Sequence, residues 1–187
     1  VYIYIAHYFG YLQNQSMLNK VEEISKSLSI TIIEDTTQSL FSEHVLCGDY
    51  AVASVRKWMP TPMGGVLYIK RSQEKLLPPL KNGIKPNRDN SRAYAMILKD
   101  MFLESGYDTN AKYREIFASV ERNIDKTCDC KTISDFAHFL IKCYDVNELI
   151  HRRKINAKRL QSGLSKLGIN GIREFQSNEV PLVYPLR

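Results

Sequence analysis

The chain has 187 residues, 44% of them hydrophobic and 25% charged, which is enough apolar material for a packed core and excludes a disordered segment. No apolar run approaches the eighteen or so residues of a membrane helix, and the start lacks the basic and small-residue features of a signal peptide, so the expected compartment is the cytoplasm. The formal charge of +6 permits an anionic partner without requiring one.

The chain opens on Val1-Tyr-Ile-Tyr-Ile-Ala6, a β-branched and aromatic run that predicts a strand. Tyr11 to Gln15 reads as polar loop. Ser16 is the expected cap of a helix whose apolar positions Met17, Leu18, Val21, Ile24 and Leu28 suit one buried face. Ile30-Thr-Ile-Ile33 reads as a strand covered on both sides, completing a β-α-β unit with a right-handed crossover. Asp49 to Ser54 and Gly64 to Lys70 read as further strands, the second following Pro60-Thr-Pro62.

From about Arg71 the pattern becomes helical. Pro78-Pro79 and the stretch from Asn82-Gly83 to Pro86-Asn87 mark loop. Helices are expected over Ser91 to Ser105, ended by Gly106, over Asn110 to Ile124, and over Thr132 to Cys143. A long basic helix follows, with Val146, Leu149, Ile150, Ala157, Leu160, Leu164 and Leu167 on its apolar face. That places most of the cations from Arg152 to Arg159 on the wet face, and Ile155 breaks the pattern. The helix ends at Gly168, and Val180 to Arg187 reads as a strand cut short. With no initial methionine, the chain is expected to be a piece of a longer protein.

The fold class expected is α/β, a mostly parallel sheet with helices. Residues 1–130 would form part of a large domain with connecting helices, and residues 131–187 would open a smaller domain. Cys47, Cys128, Cys130 and Cys143 have neither paired C-x-x-C spacing nor the density of a disulfide scaffold, so inert thiols are expected and no metal site is assigned. The basic helix lacks interleaved aromatics, which weighs against a nucleic-acid groove.

In open α/β sheets, ligands bind beyond the carboxyl ends of the strands. Both Asp35 and Lys57 fall there if the strand positions hold. An aldehyde cofactor such as pyridoxal phosphate needs a lysine amine to bond its carbonyl carbon and a carboxylate against its pyridine nitrogen, which keeps the ring an electron sink. Taken singly, Asp35 fits a turn former and Lys57 a solvated surface lysine better than either fits a cofactor site.

Their order along the chain adds a family. His7-Tyr-Phe-Gly10, Ile32-Ile-Glu-Asp-Thr-Thr-Gln-Ser39, Gly48-Asp49, Lys57 and Gly64-Gly65 resemble, in sequence, the cofactor-binding blocks of the DegT/DnrJ/EryC1/StrS family. These are pyridoxal-phosphate aminotransferases of fold type I that aminate nucleotide-linked keto sugars. The stretch from His7 to Gly65 carries the resemblance, and Asp145 to Leu167 resembles the helix opening the family's smaller domain. The resemblance implies that Asp35 pairs with the pyridine nitrogen, that Gln38 lies against the ring or its phenolic oxygen, that Lys57 is the Schiff-base lysine and proton shuttle, and that Ser54 is a phosphate ligand. It also implies a homodimer, an amino-acid donor and a keto-sugar acceptor.

Departures from the family pattern bear on particular residues. Only two residues separate Ser54 from Lys57, so Arg56 is expected to take over part of the anion binding. Thr37 stands where the family commonly has alanine, and the family's upstream phosphate-cupping segment has no counterpart here. Sugar dehydratases related to the family carry histidine in place of the lysine, and Lys57 favours transamination. His7 is expected to serve a structural hydrogen bond, and His44 and His138 have no spacing that suggests a partner. Two other readings differ in class: a degenerate relative that retains the fold as a binding or regulatory protein, and a basic nucleic-acid-binding module on the Arg152 to Arg159 helix.

Overall fold

The computed structural model describes residues 1–70, 86–124 and 132–187. Its α/β architecture holds a four-stranded sheet, with strand β1 (Tyr2–Ala6), helix α1 (Gln15–Leu28), β2 (Thr31–Asp35), β3 (Tyr50–Ser54) and β4 (Gly65–Ile69) in chain order. The strands lie in the order β1-β2-β3-β4. β1, β2 and β3 run parallel, with Ala6 beside Asp35 and Asp35 beside Val52, and β4 returns antiparallel. Among the described residues, no helix is long and apolar enough to cross a membrane.

Two compact units divide the chain. The sheet, α1 and the C-terminal residues from Tyr144 belong to one unit, in which Ile5, Leu18, Ile32 and Cys47 form a buried cluster with Ile3 and Val21 packed on it. The other contains α2 (Pro86–Ser105), α3 (Asn110–Ile124) and α4 (Asp135–Cys143), with Ala95, Leu98 and Tyr113 at the core between α2 and α3. α5 (Val146–Ser165) lies in the first unit. The expected boundary at 130/131 falls outside the described residues, as do Cys128 and Cys130 and the loop positions Pro78-Pro79 and Asn82-Gly83.

Local chemistry moves several element ends. Asn14, rather than Ser16, caps α1: its Oδ1 accepts the N–H groups of Ser16 and Met17 at 2.9 and 3.3 Å, while the Ser16 hydroxyl donates to the same oxygen. A cap works from just outside the first turn, and Ser16 is already inside it. α2 begins at Pro86, within the expected loop, where a fixed φ and missing N–H suit a first helical residue. α4 begins at Asp135, because the Ser134 hydroxyl accepts the Ala137 N–H. α3 matches its expected span, and Gly106, at φ +68°, closes α2. The C-terminal stretch expected as a strand contributes only an isolated antiparallel bridge between Gly171 and Leu186.

The faces also differ from expectation. α1 turns Leu18, Val21 and Ser25 inward, whereas Met17, Ile24 and Leu28 are exposed, so its buried stripe is narrower than the apolar pattern. β2 alternates instead of burying both faces: Ile32 and Glu34 are buried, and Thr31, Ile33 and Asp35 are half-buried. On α5, Arg153 and Lys154 turn partly inward, donating to the carbonyls of Leu182 and Ser177, while Leu160, and Leu167 just past the helix, are exposed. Paired guanidinium and ammonium groups hold positions that hydrophobic periodicity assigned to solvent.

The C-terminal segment is fastened onto the loop after β1. Leu182 N–H donates to Phe9 O, the Ser42 hydroxyl donates to Gly10 O and accepts Val180 N–H, and buried Glu179 accepts the Leu12 N–H and pairs with Arg173. Gly10 sits at φ +99°, and a Cβ there would lie 2.2 Å from Val180 O, so the close approach requires glycine.

Leu18, 1% exposed, is the residue of α1 on which the sheet cluster rests. Leu18→Ala is expected to lower the unfolding free energy by about 2–5 kcal/mol, whereas Met17→Ala one position away should cost about 0.5 kcal/mol or less. Urea denaturation of the two variants checks this.

Candidate functional site

Parallel neighbours end at the same edge of a sheet, and the expected site residues gather there. Asp35 is the last residue of β2, Gln38 follows in the next turn, Ser54 ends β3, and Lys57 is the third residue of a 3-10 turn, Val55–Lys57, that leaves β3. Lys57 is exposed, and Asp35, Gln38 and Ser54 are half-buried.

Asp35 is held on both oxygens. Oδ1 accepts Thr37 N–H at 2.8 Å and Oδ2 accepts the Tyr4 hydroxyl at 2.5 Å. Burial pushes the carboxyl toward neutrality, but the hydrogen bonds from Tyr4 and Thr37 outweigh it and hold its pKa below the ordinary aspartate value. The same contact raises the Tyr4 phenol to about 12, chiefly through the hydrogen bond to Asp35. The site therefore presents an oriented anion.

Thr37 joins the two strand ends. Its N–H reaches Asp35, its Oγ1 accepts Ser54 N–H at 3.0 Å, and its carbonyl accepts the Trp58 indole N–H at 2.7 Å. The residue beside Lys57 is thus tied to the residue two after Asp35. Trp58 is buried, edge-on to Phe41 and beneath the Arg153 guanidinium, so its ring serves packing. Nothing in the sequence marked Thr37 beyond its standing in for alanine. The signal that could have found it is a side-chain oxygen two residues past a strand end, within reach of a neighbouring strand's unpaired N–H.

Gln38 turns Oε1 to the Phe9 N–H at 2.9 Å, supporting Phe9 at φ +66°. Its Nε2 is the end left to donate elsewhere. Ser54 uses its backbone in the Thr37 bond, and its hydroxyl does not cap the 3-10 turn.

On the opposite face of β2, Glu34 is fully buried. Its Oε2 lies 3.0 Å from His7 Nε2 and its Oε1 accepts Gly48 N–H. His7 Nδ1 accepts Gln13 N–H at 3.2 Å, which leaves Nε2 as the nitrogen that donates to Glu34. Burial opposes ionisation of Glu34, yet the hydrogen bonds from His7, Gly48 and Cys47 prevail and its pKa is lowered. The reverse holds for the buried Cys47 thiol, which desolvation and the Glu34 charge push up to about 12. A Cβ at Gly48 would meet Tyr50 O at 2.7 Å and Glu34 Oε1 at 3.1 Å, so this glycine exists for close approach. Asp49 Oδ2 then accepts Ile32 N–H, closing the edge of β2. His7, Gly48 and Asp49 are structural here. Glu34 and His44 were given no role by the sequence, because they stand 10 positions from each other and Glu34 stands 27 from His7.

No family model matches the chain, and no curated protein matches it. Among solved structures it is similar to a DegT DnrJ EryC1 StrS aminotransferase from Brucella abortus, at a TM-score of 0.49 and 16% identity. The match covers 96% of this chain and 41% of that one, so the chain spans less than half the length of that structure.

Two measurements test the site's construction. Thr37→Ala is expected to cost about 1 kcal/mol of stability through the orphaned Ser54 N–H, and Thr37→Ser to retain most of it, in urea denaturation. Glu34 and Asp35 have folded pKa values below their unfolded ones, so their stabilisation is fully present above about pH 4–5 and is lost as pH falls through the folded values. Stability measured from pH 7 to pH 3 should fall, and Glu34→Gln should fall less steeply.

Proposed function

We propose that the full-length protein is a pyridoxal-phosphate-dependent aminotransferase in which Lys57 bonds the cofactor and Asp35 faces its ring nitrogen. The observation that carries this reading is that a doubly hydrogen-bonded carboxylate and a solvent-accessible lysine sit at the same ends of adjacent parallel strands. The chemistry of the two groups fits the cofactor at both ends of its ring. The anion at Asp35 matches a protonated pyridine nitrogen, and an accessible amine is what an aldehyde requires.

When bound, pyridoxal phosphate would supply the electrophilic carbon and the electron sink. The chain's own residues would do the rest. Asp35, kept anionic by Tyr4 and Thr37, holds a proton on the ring nitrogen. Gln38 Nε2 is the donor available to the phenolic oxygen. Lys57 Nζ would be the group that moves a proton between the donor's α-carbon and the bound cofactor, and would serve the acceptor in the opposite direction. Ser54 and Arg56 stand next to the lysine as candidates for phosphate contacts. The substrates proposed, an amino-acid donor and a nucleotide-linked keto sugar, follow the sequence resemblance, as does a homodimer; a cytoplasmic location and a division into a large domain over 1–130 and a small one from 131 are carried over from the sequence as part of the same proposal.

The nucleic-acid reading draws on fewer cations than the sequence counts. Arg152 pairs with Glu148, and Arg153 and Lys154 donate to carbonyls of the same unit.

The full-length protein mixed with pyridoxal phosphate should develop a visible absorption band that Lys57→Ala abolishes, together with a fall in amine transfer of about 10²–10⁴-fold or more. Asp35→Asn should keep the band and weaken cofactor retention. An identical spectrum in wild type and the Lys57 variant would overturn the assignment. Bound cofactor with no turnover across amino donors would favour a degenerate binding protein.

A further inference from the structure

The face of β2 opposite Asp35 carries a second cluster of chemistry. His44 Nδ1 lies 3.3 Å from the Ser42 carbonyl, a contact only an N–H can make, so the lone pair sits on Nε2. That atom is buried and has no hydrogen-bond partner among the described residues, and the side chain is only 10% exposed. It faces Glu34 Oε2 at 3.8 Å. Both facing atoms are acceptors, and the gap is too long for a direct hydrogen bond of about 2.7–3.2 Å.

Glu34 is fully buried, and its Oε2 is the polar atom that this bare Nε2 faces. Zinc bonds to imidazole nitrogen and carboxylate oxygen are each about 2.0–2.2 Å, so one ion between Nε2 and Oε2 spans about 4 Å and reaches both with a small bend. Imidazole with carboxylate selects this class of cation over calcium or magnesium, which take all-oxygen sets.

We propose that His44 Nε2 and Glu34 Oε2 bind a zinc-class divalent cation. His7 completes the arrangement from outside, its Nε2–H donated to the ligating carboxylate, and Ser42 O accepts the Nδ1–H of His44, the pattern of hydrogen bonds that orients metal ligands. His7, Glu34 and His44 bring one donor atom each within 4.8 Å of one another. A cleft of about 730 Å³, lined by His7, Gln13, Asn14, His44 and Asn178 among others, reaches the two imidazoles of the cluster and would give an ion and its waters a way in. The ion would pin the exposed stretch around Glu43 and Val45 to the end of β2. Because Glu34 and Asp35 point to opposite faces of one strand, this site is separate from the one proposed for the cofactor and does not depend on it.

The test uses full-length, untagged, metal-free protein titrated with Zn²⁺ against a chromophoric chelator, and with Co²⁺ for its visible ligand-field spectrum. One ion per chain is expected, with a zinc-dependent rise in thermal midpoint. His44→Ala should weaken binding about tenfold or more and remove the rise, while a His138→Ala, His151→Ala double variant, which removes exposed imidazoles, should keep both. Wild-type protein that takes up no zinc at micromolar concentration, or whose midpoint zinc does not move, overturns the proposal whether or not the His44 variant folds. So does binding that persists in His44→Ala or disappears with the surface histidines.

Discussion

A single buried carboxylate, Glu34, organises the sheet. The two-residue period of a strand turns Glu34 toward the core and Asp35 toward the other face, so adjacent acids take opposite environments. Inside, Glu34 collects the Nε2–H of His7, which leaves β1, and the N–H of Gly48, which leads into β3. A buried anion tolerates no unmade hydrogen bond, so those two loops have little freedom to move. That restraint holds three parallel strand ends in step.

The outward acid depends on this restraint. Asp35 can be oriented by Tyr4 from β1 because the β1-β2 register is held, and by Thr37 because the turn after β2 is tight enough for its N–H to reach back. Thr37 then passes the order to β3 through Ser54 and to the turn bearing Lys57 through the Trp58 indole. An anion and an amine that belong to different strands thereby share one rigid frame. Preorganisation of this kind is what a cofactor with two distant anchoring points requires.

The C-terminal segment extends the same logic to the far end of the chain. Glu179, a second buried acid, accepts the Leu12 and Gln176 N–H groups and the Arg173 guanidinium, so residues more than 160 positions apart meet at the loop after β1. Gly10 makes room for Val180 there, and Arg153 of α5 lies over Trp58. Cations that read as a solvated helix face are instead partly spent on internal carbonyls, a choice that local periodicity cannot register.

Sequence alone determined the α/β class, the existence of the four strands and the helices α1, α3 and α5 close to their observed spans, and the candidacy of Asp35, Gln38, Ser54 and Lys57. These rest on local information: side-chain period, cap and glycine chemistry, and the order of motifs along the chain. Tertiary structure decided which face each element buries, that Asn14 caps α1 while Ser16 does not, that Thr37 is the link between strand ends, and that Glu34, His7 and His44 converge. The physical reason is the same in each case. Burial and hydrogen-bond satisfaction depend on partners brought together by strand register and loop closure, and a residue's neighbours in space are not encoded by its neighbours in sequence.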